Sequence, residues 1–145
     1  ALAENRKAQY DYNILETYEA GIELLGFEVK AVKSGRINLS GSYVVVKDNQ
    51  VWLINADIPP YQPKNTPEDY DSKRTRRLLL KRPEINTLIG KTREKGLTLT
   101  PLKAYTKNRK IKIEIGLGRN LKKADKRQII KKRDTEKEMR LSKNR

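Results

Sequence analysis

Charge is segregated along this chain. Residues 118–145 carry twelve Lys or Arg against four Asp or Glu, so +8 of the total formal charge of +15 lies there. Only six apolar side chains accompany it: Leu121, Ala124, Ile129, Ile130, Met139 and Leu141. Such a segment cannot bury enough apolar surface to offset its own ordering entropy. It is expected to be disordered when free and to order on a polyanion. The chain therefore divides into a folding body, residues 1–117, and a basic tail, residues 118–145. RNA is the expected polyanion, with a membrane surface or a heparin-like polymer as the alternative.

Composition narrows the chemistry. The length of 145 residues suits one compact domain plus the tail. There is no cysteine, which excludes disulfides and thiolate metal sites. There is no histidine either, which removes the usual general base, the commonest metal ligand and the usual partner of a Ser or Cys nucleophile. No catalytic residue, metal or cofactor is expected. No apolar run approaches the roughly 20 residues that span a bilayer, and no signal-peptide pattern opens the sequence. A soluble cytoplasmic protein is the expectation. A pI of about 10.0 is the electrostatic signature of a nucleic-acid binder.

The body reads as mainly β. Residues 10–19 mix Tyr, Ile and Leu with polar residues and read as a first strand. Phe27, Val29, Ala31 and Val32 lie between Gly26 and Gly35, a spacing that predicts a short helix with Lys33 in its last turn and Gly35 just past its end. The run SYVVVK, the turn signal Asp48-Asn49 and the run QVWLIN predict a hairpin. A short strand is expected around Asp57-Ile58, ended by Pro59-Pro60. Residues 63–71 are polar and should form a surface loop. Pro83 and Glu84 suit the first turn of a second helix. Ile85, Leu88 and Ile89 continue it toward a cap at Gly96. Residues 97–105 and 110–116 alternate apolar and polar residues as half-buried strands do. About six strands and two helices without βαβ alternation suggest an antiparallel six-stranded barrel of the oligonucleotide-binding (OB) type, closed or partly open.

RNA-binding residues can be nominated from charge and placement. Arg74, Arg76 and Arg77 cluster after the polar loop, and guanidinium forks hold phosphate or stack on bases. Lys30, Lys33 and Arg36 surround the first helix. A carboxylate beside such cations, Glu19 or Glu28, can accept from a base amino group or a 2′-hydroxyl. Exposed tyrosines can stack on unpaired bases. In a helical tail, Lys122, Lys126, Arg133, Lys137 and Arg140 would share a broad face. Glu16, Glu19, Glu23 and Glu28 are the one grouping that offers paired carboxylates for acid–base or Mg2+ chemistry.

Taken together, the motifs resemble the SsrA-binding protein SmpB family, the protein partners of transfer-messenger RNA in bacterial trans-translation. The resemblance is carried by Asn5 with Lys7-Ala8, Tyr18-Glu19-Ala20-Gly21-Ile22, Gly26 with Glu28-Val29-Lys30, Trp52-Leu53, Arg74 with Arg76-Arg77-Leu78-Leu79-Leu80, Pro101-Leu102 and Asp125-Lys126-Arg127. It implies an OB-type barrel with added helices. Such a barrel clasps the tRNA-like domain of transfer-messenger RNA in place of the missing anticodon arm. It also implies a tail that reads the vacant mRNA channel of a stalled ribosome and becomes helical there. Elongation factor Tu with alanyl-transfer-messenger RNA is an implied partner, and a monomer is expected.

On the family pattern, Asn5, Glu19 and Leu79 match body positions that support RNA binding. Asp125, Lys126 and Arg127 match the tail motif, and charge adds Lys122, Lys123, Lys131, Lys132 and Arg133. Two departures stand out. The family usually has a Gly-Lys-Lys turn and then a His or Tyr before Asp-Lys-Arg, where this chain has Arg119-Asn120-Leu121-Lys122-Lys123-Ala124. Ala124 has no ring to stack. Besides the adaptor reading, three rivals follow from the residues: a generic basic OB-type or ribosomal RNA-binding protein, a carboxylate nuclease and a membrane-surface protein.

Overall fold

The structure, a computed structural model, describes residues 1–121. Residues 122–145 lie outside the described residues, and with them every expectation about Lys122, Lys123, Asp125, Lys126, Arg127, Lys131, Lys132 and Arg133. Along the chain come β1 (Ala3–Glu4), α1 (Arg6–Asp11), β2 (Tyr12–Ile22), α2 (Gly26–Lys33), β3 (Tyr43–Lys47) and β4 (Gln50–Ile54). A 3-10 turn (Pro63–Asn65), β5 (Arg76–Leu79), α3 (Arg82–Lys91), β6 (Leu97–Lys107) and β7 (Lys110–Asn120) follow. The strands form one antiparallel sheet in the order β1-β6-β7-β2-β5-β4-β3.

The mainly β architecture with short helices agrees with the sequence, but the strand count and closure differ. There are seven strands and three α-helices among the described residues, and the sheet is not a closed barrel. It curls until β3 lies against β6, yet no ladder joins them. β1 occupies the free edge of β6, with Ala3 opposite Ala104 and Glu4 opposite Lys103.

Local chemistry explains most elements. Asn5 caps α1: its Oδ1 accepts from the Ala8 N–H at 3.2 Å. This cap turns residues 10–11, expected in the first strand, into the end of a helix, so β2 begins at Tyr12. Gly35 follows α2 at φ +85, as the spacing predicted. The two hairpins turn on Asp48-Asn49 and Asn108-Arg109, all four residues at positive φ, as two-residue turns between twisted strands require. The strand expected near Asp57 is a single bridge to Asn38. Helix α3 stops at Lys91, short of Gly96, and the Thr92 hydroxyl donates to the Leu88 carbonyl at 2.8 Å. Gly96 instead sits at φ +84 just before β6.

Strand β7 is longer than expected. Residues 118–120, counted with the tail on charge alone, continue it and pair with both β6 and β2. Gly118 permits this, since a Cβ there would collide with the Asn13 carbonyl oxygen. The core is filled from alternate positions: Val51 and Leu53 of β4, Leu78 of β5, Ile113, Ile115 and Leu117 of β7. Helix α3 adds Ile85 and Leu88. The outward positions of the same strands are left to build a surface.

Candidate nucleic-acid interface

Two of the nominated charged residues face inward. Arg76 and Glu28 are both fully buried, with Nη2 2.6 Å and Nε 2.8 Å from the Glu28 Oε2. Strand alternation is the cause: Leu78 points into the core, so Arg76, two residues away, must do the same. Arg76 also donates to the carbonyls of Ala56 at 2.8 Å and Ser72 at 2.9 Å. Glu28 accepts from the Leu25 N–H at 2.8 Å, from the Tyr70 hydroxyl at 2.8 Å and from Arg74, which forms a short ion pair with it. Burial works against the Glu28 charge, but the bonds from Arg74, Leu25, Arg76 and Tyr70 overcome it and hold its pKa down at about 2. Glu28 and Arg76 thus leave the set of RNA contacts. Their knot ties α2 and the long loop to β5.

Asn5 is also internal. Its Nδ2 donates to the Pro101 carbonyl at 2.9 Å, so it joins α1 to β6. Arg77 faces out but holds Glu23 at 2.7 Å. Arg36 donates to the Tyr61 carbonyl at 3.1 Å and lies over that ring at 5.6 Å. Lys30 and Lys33 are exposed on α2.

The outward face of the sheet does bring nominated residues together. A row crosses four strands: Leu79 lies opposite Gly21, Gly21 opposite Lys112, and Lys112 opposite Tyr105. Gly21 leaves the row open at its centre. A Cβ there would come 3.3 Å from the Leu79 Cβ. Leu79 is 45% exposed, a large apolar group left in solvent among charges. Glu19, two residues along β2 from Gly21, faces the same side.

The Tyr105 hydroxyl donates to the Glu19 Oε2 at 2.6 Å, and the Lys107 ammonium lies 3.5 Å from the same oxygen. The tyrosine bond, with help from Lys107, lowers the Glu19 pKa. Burial and that bond push the Tyr105 phenol up. Glu19 is thus an ionised acceptor held in place through its Oε2, and among the described residues no hydrogen bond is made to its Oε1. Glu19, Leu79, Lys81, Glu84 and Lys112 line one depression of about 420 Å3 here. Hydrogen-bond acceptor, apolar contact and cation together suit an RNA edge better than a bare phosphate row would.

Lys112, Tyr105 and Lys81 were not nominated from the sequence. The signal for Lys112 was present, since Lys110, Lys112 and Glu114 alternate against Ile111 and Ile113 on β7. The four early carboxylates do not converge. Glu16 accepts from Tyr18, Glu19 from Tyr105, Glu23 from Arg77 and Glu28 from Arg76. Among the described residues no group of three or more acids is placed to hold a metal, and no helix is long and apolar enough to cross a membrane.

Comparison with known proteins bears on the family and the fold. The chain is 49% identical over 138 residues to an SsrA-binding protein of Gloeothece citriformis, covering 95% of this chain and 89% of that protein. It is 46% identical to the SsrA-binding proteins of Nostoc sp. (strain PCC 7120) and Thermosynechococcus vestitus, again over 95% of this chain and over 89% and 91% of theirs. A chain solved as "tmRNA-SmpB: a journey to the center of the bacterial ribosome" is 42% identical with a TM-score of 0.67, covering 88% of this chain and 93% of that one. The model of the family described as SmpB protein matches residues 2–145, and the chain belongs to that family.

Proposed function

We propose that this protein is a non-enzymatic adaptor. It binds the tRNA-like domain of transfer-messenger RNA and brings alanyl-transfer-messenger RNA to ribosomes stalled without mRNA, for trans-translation. The observation that supports this most directly is the convergence of Glu19, Leu79 and Lys112 on the open face around Gly21. They come from three strands of a chain whose relatives are SsrA-binding proteins. The body acts as a monomer and leaves elongation factor Tu to hold the aminoacyl end. The basic tail tests whether the mRNA channel is vacant, where rRNA phosphate surrounds it. The site of action is the cytoplasm.

The test is fluorescence anisotropy with the tRNA-like domain against excess unrelated structured RNA at near-physiological salt. Tight binding that survives the competitor is expected. Binding abolished by the competitor would make the charge generic and leave a basic OB-type RNA-binding module.

A further inference from the structure

Beside the face around Gly21, the surface opens into a cleft of about 370 Å3 between α2, the end of β2 and the start of β7. Its floor is apolar: Ile22, Leu24, Val29 and Ile111, with Leu79 as one wall. Its rim is cationic: Lys33 on α2, Arg109 on the hairpin turn, and Lys110 and Lys112 on β7. Among the described residues no carboxylate lines it. Among the described residues none of these four cations is in a salt bridge. The buried cation Arg76 is saturated with partners, whereas this concentration of cations outside any salt bridge is complementary to an anion.

The turn supplies a second observation. Arg109 is the second central residue of the β6–β7 turn, at φ 67. Glycine is favoured at that position, and a residue with a Cβ costs about 1–2 kcal/mol there. The fold accepts that cost and gains a guanidinium at the cleft. Strain of this kind is retained where a site needs the side chain.

An apolar floor under a cationic rim fits a group with flat apolar faces and an attached anion. A nucleotide has that form, and in a duplex its base would be stacked away. We infer that the cleft receives one unstacked nucleotide of the bound RNA, its base against Ile22, Val29 and Ile111 and its phosphates on Lys33, Arg109 and Lys110. This rests on the RNA-binding face proposed above, with which the cleft shares Leu79 and Lys112. It adds a selection that phosphate contacts alone do not supply. RNA with an extruded nucleotide is preferred over continuous duplex.

The full chain, labelled at Ile, Leu and Val methyls, is titrated with the tRNA-like domain and followed by NMR. Methyl groups of Ile22, Val29 and Ile111 should show intermolecular contacts to base protons. Contacts to ribose protons only, or none while the Leu79 methyls shift, would overturn the cleft assignment and leave the RNA face standing. Unchanged Leu79 as well would overturn both.

The variant Arg109→Gly gives an independent check. It relieves the positive φ, so the melting temperature should rise, while RNA affinity falls and the salt slope flattens by about 1. Affinity and slope equal to wild type would count against the rim.

Discussion

Arg76 Nη2 lies 2.6 Å from Glu28 Oε2 with both side chains fully buried. Around them every buried side-chain polar atom among the described residues has a hydrogen-bond partner. Removing one member strands the other. Arg76→Ala should cost about 3–5 kcal/mol in denaturant unfolding. Arg77→Ala, next in sequence but outward and paired only with exposed Glu23, should cost about 1 kcal/mol or less. Equal losses for the two would refute the inward and outward assignment.

The same knot sets an acid limit. Glu28 has its pKa held at about 2 against an ordinary 4.5. A carboxylate depressed on folding adds stability that is complete above its unfolded value and drains away as pH falls through its folded value. Stability should therefore drop between about pH 4.5 and pH 2. Glu28→Gln should be less stable at neutral pH and flatter over that window. An unchanged acid profile for the variant would show that other carboxylates carry the transition.

On the open face, Leu79→Ala should leave folding nearly unchanged, because 45% of the residue is already exposed. It should weaken binding of the tRNA-like domain about tenfold, the size expected when about 1.5 kcal/mol of apolar contact is lost. Gly21→Val should weaken binding comparably by pushing methyls into the gap beside Leu79. Full affinity in both, measured by anisotropy, would move the interface elsewhere.

Truncation separates body from tail only if the cut respects β7. A chain ending at Leu121 keeps residues 118–120 paired and should melt as the full chain does, bind the tRNA-like domain and fail to support tagging. A chain ending at Leu117 should lose stability as well. Gly118→Ala, whose Cβ meets the Asn13 backbone, should cost about 1–3 kcal/mol. Normal tagging by the Leu121 truncation would refute the two-part scheme.

The β3–β4 hairpin, α2 with Gly35 and the alternation of β7 were legible because each depends on neighbours in sequence. The α1 cap at Asn5 was missed because the helix is only six residues long and its end carries Tyr10, beside Tyr12, residues that favour strands. The end of β7 was missed because charge marks composition, whereas Gly118 and the Asn13 backbone decide pairing. On the candidate face and its cleft, Glu19, Lys33 and Leu79 are among the residues nominated from charge or the family pattern, and the structure places them within one surface region. Arg76 was misplaced by reading charge without strand period, although Leu78 beside it held the answer. The alternation of β7 puts Lys112 on the solvent face, but its neighbours there, Gly21 and Tyr105, are set by register across β2, β7 and β6, a relation no local pattern carries.

Strand β7 begins at Lys110, on the rim of the cleft, and runs eleven residues to Asn120, next to the point where the chain leaves the sheet. At about 3.3 Å per residue its ends are roughly 30 Å apart, and pairing on both sides keeps it from bending freely. The strand works as a rigid spacer. Under the proposed scheme, the nucleotide held at the Lys110 end and the departure of the chain at Leu121 are set apart by that span, so RNA seated at one end fixes where the rest of the chain starts at the other.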